Sequence, residues 1–203
     1  MTLFLRRDTG EKSETMGYGI KLEVWGEYAL FKKPESGADF VSYEVMTPPA
    51  ARGIIEAIYW KPAIRYTIDK IYVLNPIAYA DRMIGNRKLT VLKDVHYIIQ
   101  AHFDLLEHDD RAETAQKHYA ILMRNINMGR FHRKPYFGYR EFPVSFRPWK
   151  TGEEINTAYP KEMKDLGYML YDMDFTDPAE IRPMIFKAVL KNGVLNLDTV
   201  GVF

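Results

Sequence analysis

Cysteine is absent from this chain of 203 residues. Without thiols the protein cannot form disulfides, bind zinc through cysteine, hold a thiolate-bound iron–sulfur cluster or use a cysteine nucleophile. The sequence also has no apolar run approaching the roughly 20 residues of a membrane span, and Leu3–Leu5 is followed by two arginines rather than by an apolar signal segment. We therefore expect a cytoplasmic protein with no membrane contact and no small-molecule cofactor.

The charge is nearly balanced overall, at +1, but it is unevenly distributed. Between Lys117 and Lys150 eight bases face one acid, Glu141, whereas residues 102–116 and 151–203 are both net acidic. We call residues 117–150 the basic segment. Its cations are interleaved with eight aromatic rings: Tyr119, Phe131, Tyr136, Phe137, Tyr139, Phe142, Phe146 and Trp149.

Cations that follow phosphates, combined with rings that stack on unpaired bases, are typical of proteins that bind single-stranded RNA. The alternative is a strand whose rings belong to the core. The alternation of Phe142, Val144 and Phe146 favours burial of about half of the rings. From the basic segment we predict these RNA-binding residues: Arg124, Arg130, Phe131, Arg133, Lys134 and Arg140.

Periodicity predicts an α+β fold. The pair Thr47–Pro48 is typical of a helix start and Lys61–Pro62 of its end. A capping-box pattern at Asp110 and Glu113 opens a second helix that ends at Gly129. Alternating apolar residues predict strands at residues 19–31, 64–73 (with a bulge at Asp69–Lys70), 94–105 and 137–146.

This β-α-β-β-α-β order predicts a ferredoxin-like, RRM-type domain, a small antiparallel sheet backed by two helices. Strands at residues 168–175 and 185–190 and an Asn192–Gly193 hairpin turn then predict a small antiparallel β appendage. The expected divisions are a flexible leader (1–16), the ferredoxin-like domain (17–149) and the C-terminal appendage (150–203).

The histidines do not form a metal-binding pattern. His96 and His102 are about 20 Å apart at about 3.3 Å per strand residue, so they cannot chelate one ion together. His108–Asp110 is better interpreted as a loop and helix cap than as a metal doublet. No phosphate-loop pattern occurs, and we expect no metal site.

The pair Lys117–His118 lies on the second predicted helix, with His118 at the edge of the apolar face. One interpretation is a border histidine beside a lysine that pairs with Glu113 four residues earlier. The adjoining basic segment favours a functional role instead.

Five motifs in order resemble a known family: Ser42–Val45, Glu56–Pro62, Leu92–Tyr97, Ala101–Phe103 and Lys117–Tyr119. They are similar to motifs of the CRISPR-associated RAMP proteins of Cas family five, subtype d (Dvulg). The resemblance covers about residues 17–150.

The resemblance implies an endoribonuclease that cuts precursor CRISPR RNA at the repeat hairpin and stays bound with the other subunits of the type I-C interference complex. The family's catalytic trio falls on Tyr43, Lys117 and His118. Its glycine-rich loop corresponds to residues 129–138, where this chain has fewer glycines.

These residues suit metal-independent attack of a ribose 2′-OH on the adjacent phosphate, which leaves a 2′,3′-cyclic phosphate. The reaction needs a proton acceptor, a proton donor and a cation. His118 suits the acid and Lys117 the cation, whereas Tyr43, as a phenol with a reference pKa of about 10, is a base, an orienting group or a buried ring. Two alternatives are a non-catalytic subunit that caps the 5′ end of the guide RNA and a purely structural adaptor.

Overall fold

The computed structural model describes residues 18–33, 40–106, 114–150, 152–176, 180–198 and 200–203. The predicted leader and the capping-box residues Asp110 and Glu113 lie outside this part of the chain. The elements in order are β1 (Tyr18–Ala29), β2 (Phe40–Val41), α1 (Pro48–Ile58), β3 (Ile64–Val73), β4 (Tyr79–Ile84), β5 (Arg87–Leu105), α2 (Ala115–Asn127), β6 (Ser145–Pro148), β7 (Met163–Asp174), β8 (Arg182–Lys191) and β9 (Val194–Asn196).

The nine strands of the described residues form one sheet in the order β6-β1-β5-β3-β9-β8-β7, and β2 and β4 pair with β5. Only β2 and β5 pair in parallel among the described strands. α1 packs against β3 and β7, α2 against β1 and β6, and the two helices contact each other. The predicted α+β class is confirmed. Neither helix of the described residues is long and apolar enough to cross a membrane.

The alternation of buried residues along β1 and β5 shows which face of the sheet borders the core. Leu22 pairs with Ile99 and Val24 with Tyr97, and all four side chains are buried. Because successive side chains of a strand point to opposite faces, the residues between them project from the other side of the sheet. The β3–β5 register shifts between Ile68 and Lys70, which confirms the predicted bulge.

The predicted strand at residues 137–146 is wrong, because most of this stretch forms turns and β6 begins only at Ser145. Gly138 adopts φ of 71°, and a Cβ there would clash with the Leu30 carbonyl oxygen. Phe142 and Val144 are nevertheless buried. Their alternation therefore reflects a turn packed against the core rather than a strand.

α2 also begins later than the predicted cap. Thr114 is the N-cap, and its hydroxyl accepts a hydrogen bond from the Lys117 amide at 3.2 Å. Gly129 follows the helix with φ of 63°, as a C-terminal glycine does, and this confirms the predicted end.

The C-terminal strands extend the same sheet, because β9 pairs with β3. Asn192 and Gly193 both have positive φ, which confirms the predicted hairpin turn. Arg52 of α1 also donates two hydrogen bonds, of 2.5 and 2.7 Å, to the Asp172 carboxylate of β7. Burial raises the pKa of Asp172, but the hydrogen bonds from Arg52 and from the Met173 amide, together with the positive charges of Arg52 and Arg65, outweigh it and hold that pKa below its ordinary value. This contact fixes α1 on the sheet. The predicted boundary between a ferredoxin-like domain (17–149) and a C-terminal appendage (150–203) stays a prediction.

Candidate functional site

His118 of α2 contacts the C-terminal end of α1. Tyr59, the C-cap residue, leaves the helix in an extended conformation, with φ of −153°. Its hydroxyl lies 2.8 Å from His118 Nδ1. His118 is only 1% exposed and Tyr59 is 7% exposed, so this hydrogen bond is buried.

Lys117 and His118 point to different surroundings, because consecutive helix residues do not share a face. Lys117 is exposed, whereas His118 joins Leu122 and Ile126 on the buried face of α2. The interpretation of His118 as a border residue is therefore wrong. Glu113, the predicted partner of Lys117, lies outside the described residues.

A cationic loop borders the same end of α1. The backbone amides of His132 and Arg133 both donate to the Ala57 carbonyl, at 2.9 Å. We call residues 130–134 the basic loop. Its side chains are exposed, including Arg130, Arg133 and Lys134, and so is Arg124 of α2.

The rings of the basic segment divide between core and surface. Phe137 and Phe142 are buried, whereas Phe131 and Tyr136 are 48% and 46% exposed. The exposed rings lie among exposed cations, which is the arrangement that stacking on unpaired bases requires.

Tyr43 lies on the segment between β2 and α1, beside Phe31. Its amide donates to the Phe31 carbonyl at 2.8 Å, and Lys33 Nζ lies 5.5 Å from the centre of its ring. Tyr43 precedes the first residue of α1, whereas His118 contacts the residue after its last.

The basic segment contacts both α1 and the residues beside Tyr43. The basic loop contacts Ala57 of α1, and the turn that carries Arg140 packs against the end of β1, where the Leu30 amide donates to the Phe137 carbonyl at 3.0 Å. Phe137 also contacts Phe31, whose carbonyl binds the Tyr43 amide. The basic segment therefore packs near Tyr43 through Phe31 and near the Tyr59–His118 pair through Ala57.

Comparison with known proteins identifies the family. The family model for Cas5d CRISPR-associated proteins matches residues 19–198. A curated relative from Mannheimia succiniciproducens, named CRISPR pre-crRNA endoribonuclease Cas5d, is 36% identical over 90% of this chain and 96% of its own length. One of the same name from Thermus thermophilus is 37% identical over 83% of this chain and 79% of its own. The chain belongs to the Cas5d family.

Solved structures share the fold of this Cas5d chain. A functionally uncharacterized protein from Streptococcus mutans superposes with a TM-score of 0.78 at 26% identity, over 91% of this chain and 97% of its own. A structure described as a CRISPR-associated protein gives a TM-score of 0.78 at 28% identity, over 91% and 96%. The family model and the two curated relatives confirm the resemblance seen in the sequence motifs.

Two histidines of the Cas5d chain pair with carboxylates on the other face of the sheet. His96 Nε2 lies 2.8 Å from Glu23 and His102 Nδ1 lies 2.8 Å from Asp69. Burial raises the pKa of Glu23, but hydrogen bonds from Arg147 and His96 outweigh it and leave that pKa lowered. No group of three or more His, Asp or Glu in the described residues could hold a metal ion. His108 lies outside this part of the chain.

A cavity near these pairs is not lined by the predicted catalytic residues. A cavity of about 600 Å³ lies over Glu23, Trp25, His96 and Arg147. Tyr43, Lys117 and His118 do not line it. The Glu23 carboxylate in the cavity is already bound by Arg147 and His96. We propose the C-terminal end of α1, where His118 and the basic loop make their contacts, as the candidate site of this Cas5d chain.

The sequence argument missed two residues at that end, Tyr59 and Trp60. Trp60 is 50% exposed beside the exposed Lys61. Its position just before the Lys61–Pro62 helix stop was the available signal, since a tryptophan at an exposed helix end is typical of a binding surface. The contact of Tyr59 with His118 joins residues far apart in sequence and left no local signal.

The burial of His118 predicts its reactivity. In the free protein, diethyl pyrocarbonate should acylate the exposed His132 readily and His118 far more slowly, because the reagent must reach a ring nitrogen. Mass spectrometry of peptides after graded exposure measures both. Equal rates at His118 and His132 would contradict the buried placement.

Proposed function

We propose that this Cas5d chain is an endoribonuclease that cuts precursor CRISPR RNA at the repeat hairpin. The two curated relatives are named as pre-crRNA endoribonucleases, and they align with most of the chain. The observation that carries the proposal is the convergence of Lys117, His118 and the basic loop at the C-terminal end of α1.

The proposed reaction is metal-independent internal attack. The ribose 2′-oxygen bonds to phosphorus as the bond to the 5′-oxygen breaks, giving a 2′,3′-cyclic phosphate and a 5′-hydroxyl. His118 donates a proton to the departing 5′-oxygen, and Lys117 offsets the charge that develops on the phosphate. The proton of the 2′-OH passes to a base, for which Tyr43 is the proposed residue, as either the acceptor or an orienting group.

The geometry sets two requirements on this mechanism. The ring of His118 is 1% exposed, so RNA binding must uncover its Nε2. Tyr43 is 4% exposed, so RNA binding must also uncover its hydroxyl if Tyr43 is to act.

The proposed RNA surface consists of exposed cations and exposed rings. Lysine and arginine neutralise phosphates, and aromatic side chains stack on bases in a sequence-tolerant way. Trp60 adds an exposed ring next to the buried Tyr59–His118 pair. The proposed contact residues are Arg124, Arg130, Arg133, Lys134, Arg140, Phe131 and Trp60.

A ferredoxin-like arrangement is the proposed framework. In the sheet, four strands lie in the order β6-β1-β5-β3. Along the sequence, α1 lies between β1 and β3, and α2 lies between β5 and β6. This combination supports the ferredoxin-like arrangement. We further propose that the protein works in the cytoplasm and remains on its product with other subunits of a type I-C interference complex.

A second candidate is a non-catalytic subunit that caps the 5′ end of guide RNA. The burial of Tyr43 and His118, at 4% and 1% exposure, favours it. In that case both rings are core residues, and only the basic surface contacts RNA.

One experiment separates the two candidates. The protein is incubated with repeat RNA from its own CRISPR locus in excess EDTA, and the ends of the products are read by mass spectrometry. Cleavage that yields a 2′,3′-cyclic phosphate and a 5′-hydroxyl is expected. Cleavage only after magnesium is restored would refute the metal-independent mechanism, whereas tight binding without cleavage in either buffer would support the capping subunit.

A further inference from the structure

We propose that Tyr59 is a positioning residue that orients the His118 imidazole for proton transfer. The inference rests on the proposed function, in which His118 is the general acid. It assigns to Tyr59 a role through His118 and no contact with RNA.

Hydrogen bonds hold the backbone of Tyr59, and ring packing holds its side chain. The Tyr59 amide donates to the Ile55 carbonyl at 3.0 Å, and the Tyr59 carbonyl accepts from the Tyr66 hydroxyl at 2.9 Å. The Tyr59 and His118 rings pack with centroids 5.9 Å apart. Since both residues are buried, the 2.8 Å contact between Oη and Nδ1 restricts rotation of the imidazole about χ2.

A hydroxyl is a partner that suits every protonation state of the imidazole. It donates to Nδ1 when that nitrogen is bare, and it accepts from Nδ1–H when the ring is protonated. In the proposed step the proton leaves Nε2 for the 5′-oxygen, while Nδ1–H stays bound to the Tyr59 oxygen. The contact is therefore maintained through the cycle, and it leaves Nε2, on the far side of the ring, as the nitrogen that delivers the proton.

Tyr59→Phe removes this contact and keeps the ring. We expect the cleavage rate at saturating RNA to fall by about tenfold, the size of effect typical when a group that orients a functional histidine is lost. RNA affinity should stay within about twofold, because Tyr59 itself makes no phosphate contact. The matched control is Tyr97→Phe, which removes another buried tyrosine hydroxyl, one bound to the Met46 backbone. It should cut at the wild-type rate.

A spectroscopic readout separates positioning from a general loss of packing. Long-range ¹H–¹⁵N correlation spectra report which nitrogen of His118 carries the proton and whether Nδ1 is hydrogen-bonded. In Tyr59→Phe the His118 ¹⁵N shifts should move, while those of His96 and His102 stay unchanged. Tyr97→Phe should leave all three unchanged.

The outcomes distinguish this inference from the proposed function. If His118→Gln loses cleavage but Tyr59→Phe cuts at the wild-type rate, the positioning role is wrong and the general acid stands. If His118→Gln also cuts normally, the general-acid assignment fails first. Equal slowing in Tyr59→Phe and Tyr97→Phe, with His118 shifts unchanged, would also overturn the positioning role.

Discussion

Replacing His118 with alanine should slow cleavage of repeat RNA by about 100- to 10,000-fold, the usual contribution of a general acid. RNA affinity should change little, because the exposed basic surface supplies it while His118 acts on the transition state. Lys117→Ala should also cut far more slowly, since it removes the cation that offsets charge on the phosphate. Single-turnover cleavage and gel-shift titration measure the two quantities separately.

Two controls protect this result from a folding artefact. His118 is buried, and His118→Ala leaves a cavity, so His118→Gln is measured in parallel with the thermal melting of each variant. Lys191→Ala, which removes an exposed lysine of β8, is the control for Lys117→Ala. If folded His118→Gln cuts at the wild-type rate, His118 is a core residue and not the acid.

Charge reversal on the basic loop should weaken RNA binding strongly and make it less sensitive to salt. Each phosphate contact to single-stranded RNA contributes about 0.7 to the slope of log affinity against log salt, because binding releases counterions. Arg130→Glu, Arg133→Glu and Lys134→Glu should therefore each lower affinity and flatten the slope. Fluorescence anisotropy over a range of salt concentrations measures both effects.

The controls for this series are Lys161→Glu and Lys191→Glu, two exposed lysines outside the basic segment. They should alter affinity and slope little. Equal losses in both sets would show that RNA does not follow the basic loop.

Much of the fold could be predicted because its signals are local. The two central strands have alternating apolar residues, α1 begins at a proline, and Asn192–Gly193 fits only a tight turn. The prediction failed at residues 137–146, where alternation came from a turn closed by Gly138 rather than from a strand. A turn and a short strand can bury residues at the same spacing, and periodicity does not distinguish them.

The site was predictable only in part. Charge composition was enough to predict the exposed cations, such as Arg130 and Lys134, because lysine and arginine are rarely buried unpaired. The burial of His118 depends on its contact with Tyr59, which is distant in sequence and brought near by packing of α1 against α2. The placement of Tyr43 likewise depends on its pairing beside Phe31, which no local pattern specifies.

The most direct test of the central claim, internal attack by a 2′-hydroxyl, uses a repeat RNA with a single 2′-deoxyribose. Placed immediately 5′ of the cut, this sugar removes the attacking oxygen and leaves the rest of the RNA unchanged. In excess EDTA the deoxy substrate should resist cleavage, whereas RNAs with one deoxyribose elsewhere should be cut at the wild-type rate. Cleavage of the first substrate would contradict the account, because a water molecule would then have to be the nucleophile.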